Sequence, residues 1–300
     1  MKLGCVIQGD IRRGTSQILQ ELPRKFDFTV LSTWVDDEHK ASSGDYSLVV
    51  SEKPRVGGLS NRNFQRLSTA RGIQAAKEAG CDYVLKWRTD MLPTKLDVNQ
   101  LLNWANYKIP NGMKSRLVMP AFRNLSVEQD WFSSIPDLFA FGHIDEMNML
   151  WDDSEFDYSL SMNLPGKMQN DLETIKFDCT RLTDLYCAET ELYAIFKSRL
   201  QTKLGIELHH TAIATDYFRL FDYHRLEILW FAKERGFRSI GQAWEHPWWT
   251  ESSWKRGGAH IVPGGYSVTG LAANVRKATS PIRAWLEQYH QNLMWICRKF

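Results

Sequence analysis

Residues 61–90 constrain the fold more than any other stretch of this chain. Asn61 can cap a helix running to Ala79, with Phe64, Leu67, Ala70, Ala75 and Ala76 supplying apolar positions. Gly80-Cys81-Asp82 then turns into a short apolar run, Tyr83-Val84-Leu85, which ends in Lys86-Trp87-Arg88-Thr89-Asp90. A helix, a glycine turn and a buried strand delivering charge at its carboxyl end describe a ligand site in an open α/β sheet. Two cations and one carboxylate there suit an anionic substrate that can bring a metal, such as a nucleotide diphosphate.

The segments before it repeat the pattern. Leu3 to Ile7 reads as a buried strand, Thr15 to Glu21 as a helix stopped at Pro23, Phe28 to Leu31 and Tyr46 to Val50 as further strands. Such alternation predicts a mainly parallel sheet with its loops gathered at the carboxyl edge. Beyond Pro93, Leu117 to Met119 and Leu138 to Phe141 read as strands. Asp145 to Trp151, Glu189 to Leu200 and Arg225 to Arg235 read as helices. Pro281 to Phe300 forms an amphipathic pattern whose Arg298-Lys299 end can touch an anionic membrane or, more simply, pack on its own domain.

Composition narrows the class. A net charge of +2 with no block of Lys and Arg argues against a nucleic-acid binder. Five scattered cysteines without a C-x-x-C pair fit reduced thiols better than a disulfide framework or zinc site. No apolar run approaches the roughly 18 residues of a membrane span, and the first strand begins almost at once, so a cytoplasmic protein is expected.

Four segments are expected to meet at the sheet edge. Gln8-Gly9 ends the first strand, where a small residue lets backbone N–H groups approach a base or phosphate, although turn formation alone explains a glycine there. Thr33-Trp34 ends the second. Trp34 can stack on a base with Asp36 or Asp37 on ribose hydroxyls, or the loop is simply a solvated acidic one. Arg62 and Arg66 are four apart near a helix N-terminus, a setting that favours pyrophosphate unless both are merely solvated. Strand alternation places Lys86, Arg88 and Asp90 on one side, able to face one ligand.

With these residues in view, the first half resembles the WavE family of lipopolysaccharide-synthesis proteins, which is related to glycosyltransferases of the GT-A fold. The similarity lies in Val6-Ile7-Gln8-Gly9, Leu31-Ser32-Thr33-Trp34, Asn61-Arg62-Asn63 with Ser68-Thr69 and Gly72, and Tyr83-Val84-Leu85-Lys86 with Arg88-Thr89-Asp90. Pro136-Asp137-Leu138-Phe139-Ala140-Phe141-Gly142 and Glu191-Leu192-Tyr193 are similar to later family segments, and the order and spacing agree over roughly residues 3 to 200. Asp10 stands where a Pro usually follows the Gln-Gly pair, and Leu138 where a Trp often follows the Asp.

The resemblance implies a GT-A-like domain over residues 1–225, with a nucleotide-sugar half to about 115 and an acceptor half from 116, followed by a helical extension over 226–300. It implies sugar transfer from a nucleotide-sugar donor to a glycan or lipid-linked glycan in lipopolysaccharide, capsule or related polysaccharide synthesis. Many GT-A enzymes end the corresponding strand in Asp-x-Asp and hold Mn²⁺ or Mg²⁺ there; here Arg88 replaces the first carboxylate. Either Asp90 binds the metal with help from His209, His210 or His246, or Arg88, Lys86 and Arg62 stabilise the leaving diphosphate directly. In the second case Asp90 holds a sugar hydroxyl or orients Arg88. Asp137 is the first candidate base for the acceptor hydroxyl and Glu191 the second; their plain roles would be a turn cap and a helix N-terminal charge. Nucleotidyltransfer to a sugar phosphate, or nucleotide or glycan binding without catalysis, are the alternatives.

Overall fold

The computed structural model describes residues 1–58, 61–120, 123–124, 133–135, 137–160, 188–208, 212–221, 225–231 and 237–239. Its centre is β1 (Leu3–Gln8), a strand buried along nearly its whole length. β2 (Phe28–Trp34) pairs parallel on one side of it, and β3 (Ser47–Ser51) extends that side in parallel. β4 (Tyr83–Arg88) pairs parallel on the other side, placing Gln8 opposite Arg88. Central strands covered on both faces need apolar residues at consecutive positions, which is why these runs do not alternate.

Helices close both faces. α1 (Thr15–Glu21) joins β1 to β2 and packs with Ile7, Leu85 and Trp87 on one side of the sheet. α2 (Arg62–Glu78) joins β3 to β4 and presses Ile73 and Ala76 against Val6 and Val84 on the other side. Gly72 sets this approach: a Cβ on it would lie 2.2 Å from Val6 Cγ1. Asn61 precedes α2 in the left-handed region at φ 59° and makes no side-chain cap, so the expected cap is absent and the helix starts at Arg62.

A three-residue strand, β5 (Met91–Pro93), follows β4, and then α3 (Val98–Ala105), capped by the Asp97 carboxylate. β6 (Leu117–Pro120), the short pair β7 (Arg123–Asn124) and β8 (Ser133–Ser134), β9 (Ala140–His143) and α4 (Ile144–Trp151) come next. After α5 (Ala188–Leu204) and a π turn at Ile213–Tyr217 come β10 (Phe218–Phe221), β11 (Ile228–Phe231) and β12 (Phe237–Ser239). The seven-stranded sheet runs β10-β6-β9-β4-β1-β2-β3. β9 is antiparallel to both β4 and β6, and the other pairs are parallel. The expected α/β class, a mainly parallel sheet flanked by helices, is the class observed.

Two further expectations need correction. The strand expected at 138–141 lies at 140–143, because the carbonyls of Asp137 and Leu138 accept from Lys86 Nζ instead of joining a ladder. The helix expected over 225–235 is replaced by β11, which pairs antiparallel with β5 and β12. Glu227, at φ 42°, breaks helical continuity just before it, and Ile-Leu-Trp-Phe then suits a strand. The region from 226 therefore opens on strands, and the expected helix at 281–300 lies outside the described residues. Among the described residues, no helix is long and apolar enough to cross a membrane.

Candidate functional site

The carboxyl ends of β1, β2 and β4 lie side by side, since Gln8 is opposite both Ser32 and Arg88. Most side chains nearest the sheet hold this edge together. Gln8 accepts from Ser68 Oγ at 2.7 Å and Thr33 donates to Gly9 O at 2.9 Å. Gly9 needs its freedom, with φ 119° and Thr89 Oγ1 3.1 Å from where a Cβ would stand. Trp34 is 2% exposed: its indole N–H donates to Asp10 at 2.8 Å and its ring meets Phe64 edge-on. The stacking surface expected of Trp34 is thus already occupied within the protein.

Lys86, Arg88 and Asp90 do not face one ligand together. Lys86 is fully buried, donating to the Asp137 carbonyl with its ammonium 4.9 Å from the Trp151 ring centre. This satisfies a buried cation that would otherwise be costly. Asp90 lies past the end of β4, in the turn before β5, so its side chain returns to the strand end. Its Oδ1 accepts from Arg88 Nε at 2.9 Å; its Oδ2 accepts from Arg12 Nη1 at 2.6 Å, Arg88 Nη2 at 3.0 Å and Trp230 Nε1 at 3.0 Å. Burial alone would raise this carboxyl, but Arg88, Trp230 and Arg12 outweigh it and hold it at about 2.

That geometry tests the expected metal. An ionised carboxylate offers about four acceptor sites, and Asp90 receives hydrogen bonds from Arg12, from Arg88 twice and from Trp230. A divalent ion would have to displace these donors and sit beside two guanidiniums. Asp90 does not fit as a metal ligand. Among the described residues, no group of three or more His, Cys, Asp or Glu could hold a metal ion, and His209, His210 and His246 lie outside them. What Asp90 does in this arrangement is hold Arg88, accepting from its Nε and Nη2.

The remaining expected residues meet at a second point. Arg62, Arg66, Asp137 and Glu191 line one small cleft with Gln65 and Trp151. Arg62 pairs with Glu191 at 3.0 Å, both only 3% exposed, tying α2 to α5. Arg66 donates to Leu150 O at 2.8 Å and lies over Trp151 and Phe156; burial lowers it to about 10, despite the opposing charge of Glu191. Both arginines are buried, so neither is a merely solvated side chain. Asp137 joins the two regions: the residue lines the cleft, and its carboxylate lies 3.9 Å from Arg88 Nη1.

Sequence reading missed two members of the cluster. Arg12 stands on the loop between β1 and α1, and Trp230 on β11; they are 78 and 140 residues from Asp90. No local signal could join them.

No family model matches the chain, and no curated protein does. Among solved structures, a mannose-1-phosphate geranyltransferase from Thermus thermophilus aligns at a TM-score of 0.32 and 12% identity. The alignment covers 50% of this chain and 60% of that one.

Proposed function

We propose that this protein is a glycosyltransferase moving a sugar from a nucleotide-sugar donor to a glycan acceptor in lipopolysaccharide, capsule or related surface-polysaccharide synthesis. The observation that carries the reading is Asp137, a residue of the cleft whose carboxylate lies 3.9 Å from Arg88 Nη1, at the edge that gathers the strand ends. Sugar transfer needs a base for the acceptor hydroxyl and positive charge for the departing diphosphate. Asp137 supplies the first and the arginine cluster the second. The pathway assignment follows the WavE resemblance. A lipid-linked acceptor would give the amphipathic pattern at 281–300 a membrane contact.

Nucleotidyltransfer to a sugar phosphate is the second reading, favoured by the Gly9–Gly14 loop that follows β1 and brings Arg12 to the same edge. A panel of nucleotide sugars, sugar phosphates and glycan acceptors separates the two. Nucleoside diphosphate release with growth of a glycan supports transfer, whereas pyrophosphate exchange supports nucleotidyltransfer. Asp137→Asn should lower glycosyl transfer by about 10²–10⁴-fold while leaving donor binding in place. An unchanged rate would remove Asp137 from the role of base.

A further inference from the structure

We propose that Arg12 is a direct binding residue for the donor diphosphate, and that the Arg12–Asp90–Arg88 cluster takes the place of a divalent cation there. The inference rests on the sugar-nucleotide reading of the site and adds a residue and a mode of charge stabilisation to it.

The backbone beneath Arg12 is fixed by its neighbours. Ile11 N donates to Asp37 Oδ2 at 2.9 Å, and Arg12 N donates to Thr15 Oγ1 at 2.8 Å. Thr15 Oγ1 donates in turn to Thr89 O at 2.9 Å, stitching the loop to the turn that carries Asp90. The side chain is then held at one corner, by the 2.6 Å bond from Nη1 to Asp90 Oδ2. Among the described residues, its Nε and Nη2 meet no acceptor, and 35% of the side chain is exposed. A guanidinium has five N–H donors in a planar fork, so an edge of Arg12 can take phosphate oxygens while the Asp90 bond persists.

The local charge favours an anion. Arg12, Arg88 and Lys86 against Asp90 and Asp137 leave one positive charge, with Lys86 beneath, close to the Asp137 main chain. A metal at a carboxylate pair would supply the same kind of charge. Here it is covalently attached and pre-positioned, so it needs no reorganisation as diphosphate departs. Asp90 is a positioning residue in this scheme: Arg88 and Trp230 keep it in place, and it aims Arg12.

The test is calorimetric titration of the full chain with UDP, GDP, CDP, ADP and dTDP, in EDTA and again with Mn²⁺ or Mg²⁺. At least one should bind in EDTA within about threefold of its affinity with metal. Arg12→Ala should weaken that binding about tenfold or more, one charge-assisted contact's worth, while Arg13→Ala next to it should not. Binding that requires the metal, an Arg12→Ala protein that binds as the parent does, or an equal loss in Arg13→Ala overturns the inference and leaves the glycosyltransferase reading standing. If no nucleoside diphosphate binds under either condition, both fall together. Arg12 is partly exposed and its substitution leaves the core untouched, so a folded variant is expected and circular dichroism checks it.

Discussion

Arg62–Glu191 and Arg12–Asp90 are both arginine–carboxylate pairs, at 3.0 and 2.6 Å, and both join parts of the chain distant in sequence. They differ in how much of the cation meets solvent. Arg62 is as buried as its partner, so the pair fastens α2 to α5. Arg12 rests on a buried carboxylate but keeps a third of its side chain in water. A pair closed on both sides belongs to the framework, while one closed only on the anionic side can hold a cation out to a ligand. Desolvation, not the distance between charges, separates the two roles.

The largest expected effect tests the framework half. Glu191→Ala or Arg62→Ala leaves one charge buried without its main partner and should cost about 3–5 kcal/mol in urea unfolding. The joint change Arg62→Met with Glu191→Leu should regain much of that loss, because paired buried charges are often replaced by apolar groups at little cost. A Glu191→Ala protein as stable as the parent yet inactive would break the comparison and return Glu191 to the role of base.

The Asp90 cluster should show itself in acid. The Asp90 carboxyl is held below its ordinary value of 3.8, at about 2. Its contribution to stability is therefore complete above the unfolded value and is lost as pH falls from 3.8 through about 2. The size is about 2 kcal/mol, from 1.36 kcal/mol per pH unit. Asp90→Asn should lack that part of the acid slope, which chemical unfolding at pH 5, 4, 3 and 2 would reveal. Identical slopes in both proteins would mean that the cluster does not hold the carboxylate ionised.

Smaller effects sharpen the contrast. Arg12→Ala should lower stability by only about 1 kcal/mol, since Arg88 and Trp230 still satisfy Asp90. A loss as large as that of Arg62→Ala would place Arg12 in the framework too. Lys53 bridges to Asp10 at 2.9 Å with both side chains well exposed. Lys53→Ala should cost about 0.2–1 kcal/mol, readable as a small shift in thermal midpoint, and less at high salt.

Much of the first hundred residues is legible from local pattern alone. Strands covered on both faces must be continuously apolar, so β1, β2 and β4 announce themselves, and charges at the end of such a strand must lie at the sheet edge. The four-residue spacing of Arg62 and Arg66 correctly put them on one helix face. It could not say that the face lies beneath Trp151 and Glu191, because a helix's periodicity does not name what covers it. Strand alternation likewise grouped Lys86 with Arg88 but was silent on the Asp137 and Leu138 carbonyls that take up the lysine. Ile228–Phe231 misled for a different reason: four apolar residues fit helix or strand, and pairing with Met91–Pro93 decided between them.

The sequence by itself determined the α/β class and the edge at which charges gather, because these depend on local pattern and strand polarity. Only the tertiary structure decided what each charge does there. It buried Lys86, locked Arg62 to Glu191, and set Arg12, Arg88 and Trp230 around Asp90. A carboxylate's capacity to take a metal or aim an arginine depends on the donors that already fill its lone pairs, and those arrive from segments far away along the chain.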